Sequence, residues 1–258
     1  MKVPKVRSSV FFLLSGEGPS DMGTCGNGAG FCRLGTQDDG FQLGPMALLV
    51  DILAERKLGY SPKEYMAMGF VSESEIAREK RKRPRLFMSL PKSEEKGALY
   101  HKVYAGLLGG IALEMAAKEK IAVVPVFFRD CDGSRSSPSN EWERKKLSIA
   151  KGFKQANCPT GVAMVPKPKS ECWILCAVQK PPYRNCAALE DLSGNDASPE
   201  RSLKKLLEQA LGKKANAAVQ SDLIKRGKVD PARIDMPSFN AFKSDFDHAL
   251  DVARSWEP

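Results

Sequence analysis

The chain has 258 residues, 42% hydrophobic and 28% charged, a balance that excludes wholesale disorder and fibrous repeats and allows one large core. Forty basic residues against 31 acidic ones leave a net charge of +9, which favours an anionic partner. Seven irregularly spaced cysteines, no CxxC pair and two histidines predict neither a disulfide framework nor a structural zinc site, and fit a reducing cytoplasm.

Lys2, Lys5 and Arg7 precede the apolar run Val10-Phe11-Phe12-Leu13-Leu14, which is too short for a signal-peptide core. The longest strictly apolar run, Ile121 to Phe128, has a proline inside it and is far too short to span a membrane. The first strand is predicted over Ser8 to Leu14, bounded by Ser15-Gly16. The glycine-rich stretch 23–40 reads as a long loop. A helix is expected from Pro45 to Arg56, with Gly59 just past its end. Ala67 to Val71 forms a second short strand, and Gly97 to Glu119 a long helix with Tyr100, Tyr104, Leu107, Leu108, Ile111 and Met115 at helical spacing.

Ile121 to Phe128 is apolar on both faces, as a central strand of a parallel sheet would be, with a bulge expected at Pro125. Asn140 to Gln155 follows as a helix, Gly161 to Val165 as a fourth strand, and Ser170 to Val178 as a helix capped by Ser170. Cys172 and Cys176 share a face of that helix, which suits core packing. Beyond residue 179 only helices are expected. One is opened by Ser198-Pro199-Glu200, and a last one at Ser238 carries Phe239, Phe242, Phe246 and Leu250 on one side. The alternation predicts an α/β domain over 1–180, with an inserted helical and basic segment at about 22–119. A helical C-terminal extension over 181–258 packs on it.

Two acidic clusters fall just past strand ends, where α/β folds place their sites. Glu17-Gly18-Pro19-Ser20-Asp21 follows the first strand, and Asp130-Cys131-Asp132-Gly133 follows the apolar one. Singly, each reads as a turn or helix cap. If the two strands are neighbours, Glu17, Asp130 and Asp132 converge, and their repulsion calls for a cation; oxygen-only ligation suits Mg²⁺ or Mn²⁺.

This pairing resembles the Toprim fold of topoisomerases, primases, old-family nucleases and small defence-associated nucleases. Their signature is a glutamate in an E-G-x-x-D-like turn and a later D-x-D pair, matched here by Glu17 to Asp21 and by Asp130-Cys131-Asp132. Val165-Pro166, Glu171-Cys172-Trp173-Ile174-Leu175 and Pro237-Ser238-Phe239-Asn240-Ala241-Phe242 resemble elements of a prokaryotic Toprim-like family. The separation of the two clusters by about 110 residues, and the glycine-rich loop, depart from the pattern. The resemblance implies a mostly parallel sheet flanked by helices and a nuclease, hence a hydrolase, of anti-phage defence. Asp130 and Asp132 would then hold magnesium or manganese, and Glu17 would act as general acid/base or share metal duty. Asp21 joins the candidate ligands, and Glu171 is either a further ligand or only a helix cap. A partner protein such as an ATPase is compatible with that family. No tyrosine lies close enough in sequence to either cluster to argue for a covalent topoisomerase mechanism.

Arg78, Lys80, Arg81, Lys82, Arg83 and Arg85 form a basic run that attracts a phosphate backbone of DNA or RNA. A solvated loop is the plainer alternative. Asp130-Cys131-Asp132-Gly133-Ser134 also resembles the haloacid-dehalogenase phosphatase motif, which normally opens its fold, whereas 129 residues precede Asp130 here. No P-loop, dinucleotide fingerprint or EF-hand loop occurs. A non-catalytic nucleic-acid-binding subunit is the remaining alternative.

Overall fold

The structure, a computed structural model, describes residues 10–35, 40–82, 96–132, 140–194 and 202–256. The described residues form seven strands and eight α-helices. They are β1 (Val10–Gly16), β2 (Gly23–Cys25), β3 (Phe31–Arg33), β4 (Phe41–Leu43), α1 (Pro45–Leu58), β5 (Met68–Val71), α2 (Glu73–Lys82) and α3 (Lys96–Glu119). Then follow β6 (Ala122–Phe128), α4 (Glu141–Gln155), β7 (Val162–Met164), α5 (Glu171–Val178), α6 (Leu203–Leu211), α7 (Ala217–Lys225) and α8 (Pro237–Arg254).

A five-stranded sheet has the order β3-β5-β1-β6-β7, parallel except for the edge strand β3. The expected α/β architecture is therefore present. Alternation along the buried strands divides the core. Val10, Phe12, Leu14, Val124, Val126 and Phe128 face one layer, made with α1, α5, α6, α7 and α8. Phe11, Leu13, Val123 and Phe127 face the other, made with residues of α2, α3 and α4. The C-terminal helices thus complete a layer of the main core. Phe239 and Phe242 of α8 pack against Trp173, and Phe246 links Phe242 to Phe12 of β1.

Strand order also explains the long gap between the acidic clusters. The chain leaves β1 towards β5 through α1 on one face, and leaves β6 towards β7 through α4 on the other. The crevice where two such connections diverge is the usual ligand position in open α/β sheets. Here it lies between the carboxyl ends of β1 and β6.

Some expectations are corrected. Pro125 makes no bulge, since β1 and β6 pair in unbroken register from Val10↔Ala122 through Leu13↔Pro125 to Gly16↔Phe128. The ladder to β7 starts only at Val126, so the proline has a full ladder on one side only, an edge-like place. The glycine-rich stretch is not simply a loop. It holds β3, which joins the main sheet, and β2, which pairs with β4. Cys25 is disulfide-bonded to Cys32, and Cys176 to Cys186; tertiary folding pairs them, which irregular spacing could not show. Cys131, Cys158 and Cys172 are buried thiols outside these disulfides. No described helix is long and apolar enough to cross a membrane. Residues 36–39, Gly133, Ser134 and the Ser198-Pro199-Glu200 cap lie outside the described residues; α6 is capped by Ser202, whose hydroxyl accepts the Lys205 N–H.

Helices α3 and α4 meet at glycines. A Cβ on Gly152 would stand 2.2 Å from the Lys102 carbonyl oxygen. Gly152→Ala should therefore destabilise the fold by about 1–3 kcal/mol through overpacking, despite the roughly 1 kcal/mol that alanine gains over glycine in a helix. Lys151→Ala, on the exposed side of α4, should stay within about 0.5 kcal/mol of the parent. Urea denaturation measures both.

Candidate functional site

Pairing of Gly16 with Phe128 puts Glu17 next to Arg129 and Asp130. Gly16 is needed there, because a Cβ would stand 2.9 Å from that of Phe128. The Glu17 carboxylate accepts the Asp130 backbone N–H at 2.7 Å through Oε1 and Arg129 Nη1 at 3.0 Å through Oε2. The two acidic clusters are thus joined by direct hydrogen bonds.

The second join is Ser170. Its hydroxyl donates to Asp21 Oδ1 at 2.6 Å and its backbone N–H to Asp130 Oδ1 at 2.9 Å. The cap expected at Ser170 is corrected accordingly: the residue adopts helical φ/ψ and its side chain makes no cap bond. The nearby carboxylate outcompetes the helix end, since hydrogen bonds to ionised groups are the stronger kind.

Beyond Phe128 the chain runs beside 164–168. Arg129 N–H donates to Met164 O, Cys131 N–H to Pro166 O and Asp132 N–H to Pro168 O. Asp132 takes a left-handed conformation at φ 54°, which aspartate tolerates better than most residues. Its carboxylate is 3.8 Å from Lys169 Nζ and half exposed. Lys145 of α4 donates from Nζ to the carbonyl oxygens of Asp130 and Cys131, at 2.6 and 3.0 Å.

Burial, then Asp21, Glu171, Glu17 and Asp132, raise the Asp130 carboxyl well above its ordinary 3.8. Burial is also the main cause of a raised Asp21 pKa, opposed by its Ser170 and Ser20 hydrogen bonds. Each of the five candidate carboxylates therefore enters one electrostatic cluster around Asp130.

Sequence reasoning missed several neighbours. Arg129 is 4% exposed. It contacts Glu73 at the start of α2, and its Nη2 donates to the Tyr100 hydroxyl of α3 at 2.9 Å. Tyr100 in turn donates to Glu73 Oε1 at 3.2 Å. Tyr100 thus stands at the site though distant from both clusters in sequence; burial and Tyr104 push its phenol upward, against ready ionisation. Burial and Lys145 lower the His101 pKa to about 4, so it is neutral at neutral pH. The one local signal was an arginine directly before Asp130, and nothing in the sequence said what it met.

The basic run is partly helical, which sets aside the loop alternative for its first four residues. Residues up to 82 belong to α2, not to a loop. Arg78, Lys80, Arg81 and Lys82 are exposed. Arg78 pairs with Glu75 and Lys82 with Glu79. Arg83 and Arg85 lie outside the described residues.

For a divalent cation, the donor chemistry fits: hard oxygens only, with several negative charges crowding one another. Among the described residues, however, no three His, Cys, Asp or Glu side chains stand in a ready cation-holding arrangement. Compared with protein-family models, curated proteins and solved structures, the chain matches none.

The raised Asp130 pKa has a testable sign. A carboxyl whose folded value exceeds its unfolded one stabilises the fold when protonated; that contribution is full below the unfolded value and lost as pH rises through the folded one. Asp130→Asn should therefore make the metal-free protein more stable than the parent at neutral pH. The gap should close as pH falls towards 3.8, the ordinary value. Denaturation curves across that range measure it.

Proposed function

We propose that the protein is a divalent-metal-dependent nuclease that cleaves phosphodiester bonds of DNA or RNA, as the Toprim resemblance implies. The observation that supports this most is the Glu17 carboxylate on the Asp130 N–H, which joins the two acidic clusters in the crevice between β1 and β6. Glu17, Asp130 and Asp132 would hold Mg²⁺ or Mn²⁺, with Asp21 and Glu171 near enough to Asp130 to influence it. The cation, when bound, supplies Lewis-acid stabilisation of the phosphoryl oxygens and a lowered pKa for a nucleophilic water.

The chain's own residues do the rest. Arg129 and the Asp130 N–H hold Glu17, so its carboxylate is better placed to bind than to shuttle protons. Ser170 keeps Asp21 and Asp130 at a fixed separation. Lys169 lies beside Asp132, 3.8 Å from its carboxylate, and offsets part of its charge. Exposed Lys80 and Arg81 have no ion pair among the described residues and offer the surface for a nucleic-acid backbone. We place the activity in prokaryotic anti-phage defence, with an ATPase as a candidate partner; the two disulfides count against the reducing cytoplasm expected from the cysteine spacing.

A second reading, a non-catalytic nucleic-acid-binding subunit, is favoured by one fact. Glu17, Asp21 and Asp130 already accept hydrogen bonds from protein donors.

Cleavage of plasmid, single-stranded DNA and RNA by the purified protein separates the two. Glu17→Ala, Asp130→Ala and Asp132→Ala should each lower Mg²⁺- or Mn²⁺-dependent cleavage by about 10²-fold or more. Cleavage by the Glu17→Ala protein at the parent rate would end the proposal, and hydrolysis of an aryl phosphate instead would favour the phosphatase alternative. Replacing Lys80 and Arg81 with Ala should flatten the log–log salt dependence of binding by about 0.7–0.9 per lost phosphate contact.

A further inference from the structure

Arg129 is the odd residue in this site. Among the described residues it is the one buried arginine, 4% exposed, and its polar partners come from three separate parts of the chain. Nη1 donates to Glu17 after β1, and Nη2 meets Tyr100 of α3 and Glu73 of α2. The guanidinium also lies over the Tyr100 and Phe127 rings, 5.1 Å from each centroid. Both terminal nitrogens are thereby engaged, with two aromatic rings close to the guanidinium.

A buried arginine placed only for stability would be a poor choice. Desolvation costs several kcal/mol per ion, and an apolar replacement of a buried pair is often neutral or stabilising. The chain also contains an ordinary structural pair for comparison. Arg33 meets Glu119 at the far end of α3, with both side chains about 30% exposed. That pair keeps its solvent, whereas Arg129 gives its solvent up and stands between two carboxylates. The planar fork of arginine suits this, because it can address two acceptors in fixed directions while lysine acts as a point charge.

We propose that Arg129 is a positioning residue. It fixes the Glu17 carboxylate over the Asp130 N–H, and Glu73 with Tyr100 fixes Arg129 in turn, so that α2 and α3 set the aim of Glu17. This rests on the metal-dependent reading of the same site. It is compatible with that reading because an ionised carboxylate has about four lone-pair directions, and Arg129 and the Asp130 N–H take one on each oxygen. The remaining pairs stay available for a cation while Arg129 stays put. Glu73 lies outside the five candidate ligands and acts on the cation only through Arg129.

The test uses amide NMR of the full chain, first metal-free and then titrated with Mn²⁺, for the parent, Glu73→Gln and Arg129→Lys. Glu73 is one-third exposed, so its variant keeps the test available if the buried Arg129→Lys protein does not fold. The Asp130 amide reports directly on Glu17. In Glu73→Gln it should lose the shift that a carboxylate acceptor gives it and exchange with solvent faster. The Mn²⁺ concentration that broadens the amides of 17 and 130–132 should rise about tenfold, the lower end of outer-shell effects on metal affinity. A merely structural Arg129 would lower the melting temperature and leave the Asp130 amide where it is; an unmoved amide in Glu73→Gln overturns the proposal. If Mn²⁺ broadens none of these amides in the parent, the metal reading fails, and the metal-free Asp130 amide still decides the role of Arg129.

Discussion

The parallel pairing of β1 with β6 leaves the residues at its carboxyl end no freedom to drift. Register is unbroken up to Gly16↔Phe128, and both strands are buried on both faces. A one-residue slip would move each apolar set to the wrong layer. Glu17 and Asp130 are therefore brought together by the same hydrophobic register that holds the sheet, and their chemistry depends on packing well away from them.

That placement creates an electrostatic problem, which the surrounding residues resolve. Five carboxylates contribute to one cluster, and Asp130 at its centre is pushed towards its neutral form. Arg129 neutralises Glu17, Lys169 approaches Asp132, and Ser170 ties Asp21 to Asp130 without adding charge. The cluster keeps a surplus of negative charge and hard oxygen donors, which is the condition under which a divalent cation becomes favourable. Stability and proposed function pull against each other here, as expected where like charges are held close for a purpose.

The helical layers join that site to the rest of the molecule. Helix α2 presents exposed basic residues along its last turns while its first residue, Glu73, touches Arg129. Its buried Ile76 anchors it to the α3 layer. On the opposite face, Ser170, which holds Asp21 and Asp130, immediately precedes α5, and Trp173 of α5 packs against α8. The C-terminal helix therefore supports the site from behind, through an aromatic cluster.

The sequence alone determined what local pattern can carry. Continuous apolar runs marked β1 and β6 as buried strands, because only a strand covered on both faces is apolar at successive positions. Helical spacing marked α3 and α8, and acids just after both strands marked Glu17, Asp21, Asp130 and Asp132. Tertiary structure decided the partnerships. Glu17 and Arg129 are 112 residues apart, and Ser170 and Asp21 are 149 apart, so no local window contains either pair. The third strand inside a glycine-rich stretch was hidden likewise, since β3 exists because β5 offers it an edge. The disulfides are local, yet Cys25 meets Cys32 only because the chain folds back there, which residue spacing does not show. Ser170 had the residue type of a cap, yet a carboxylate brought in by β1 took its hydroxyl. Local sequence sets which conformations are open to a segment, and long-range charge and packing choose among them.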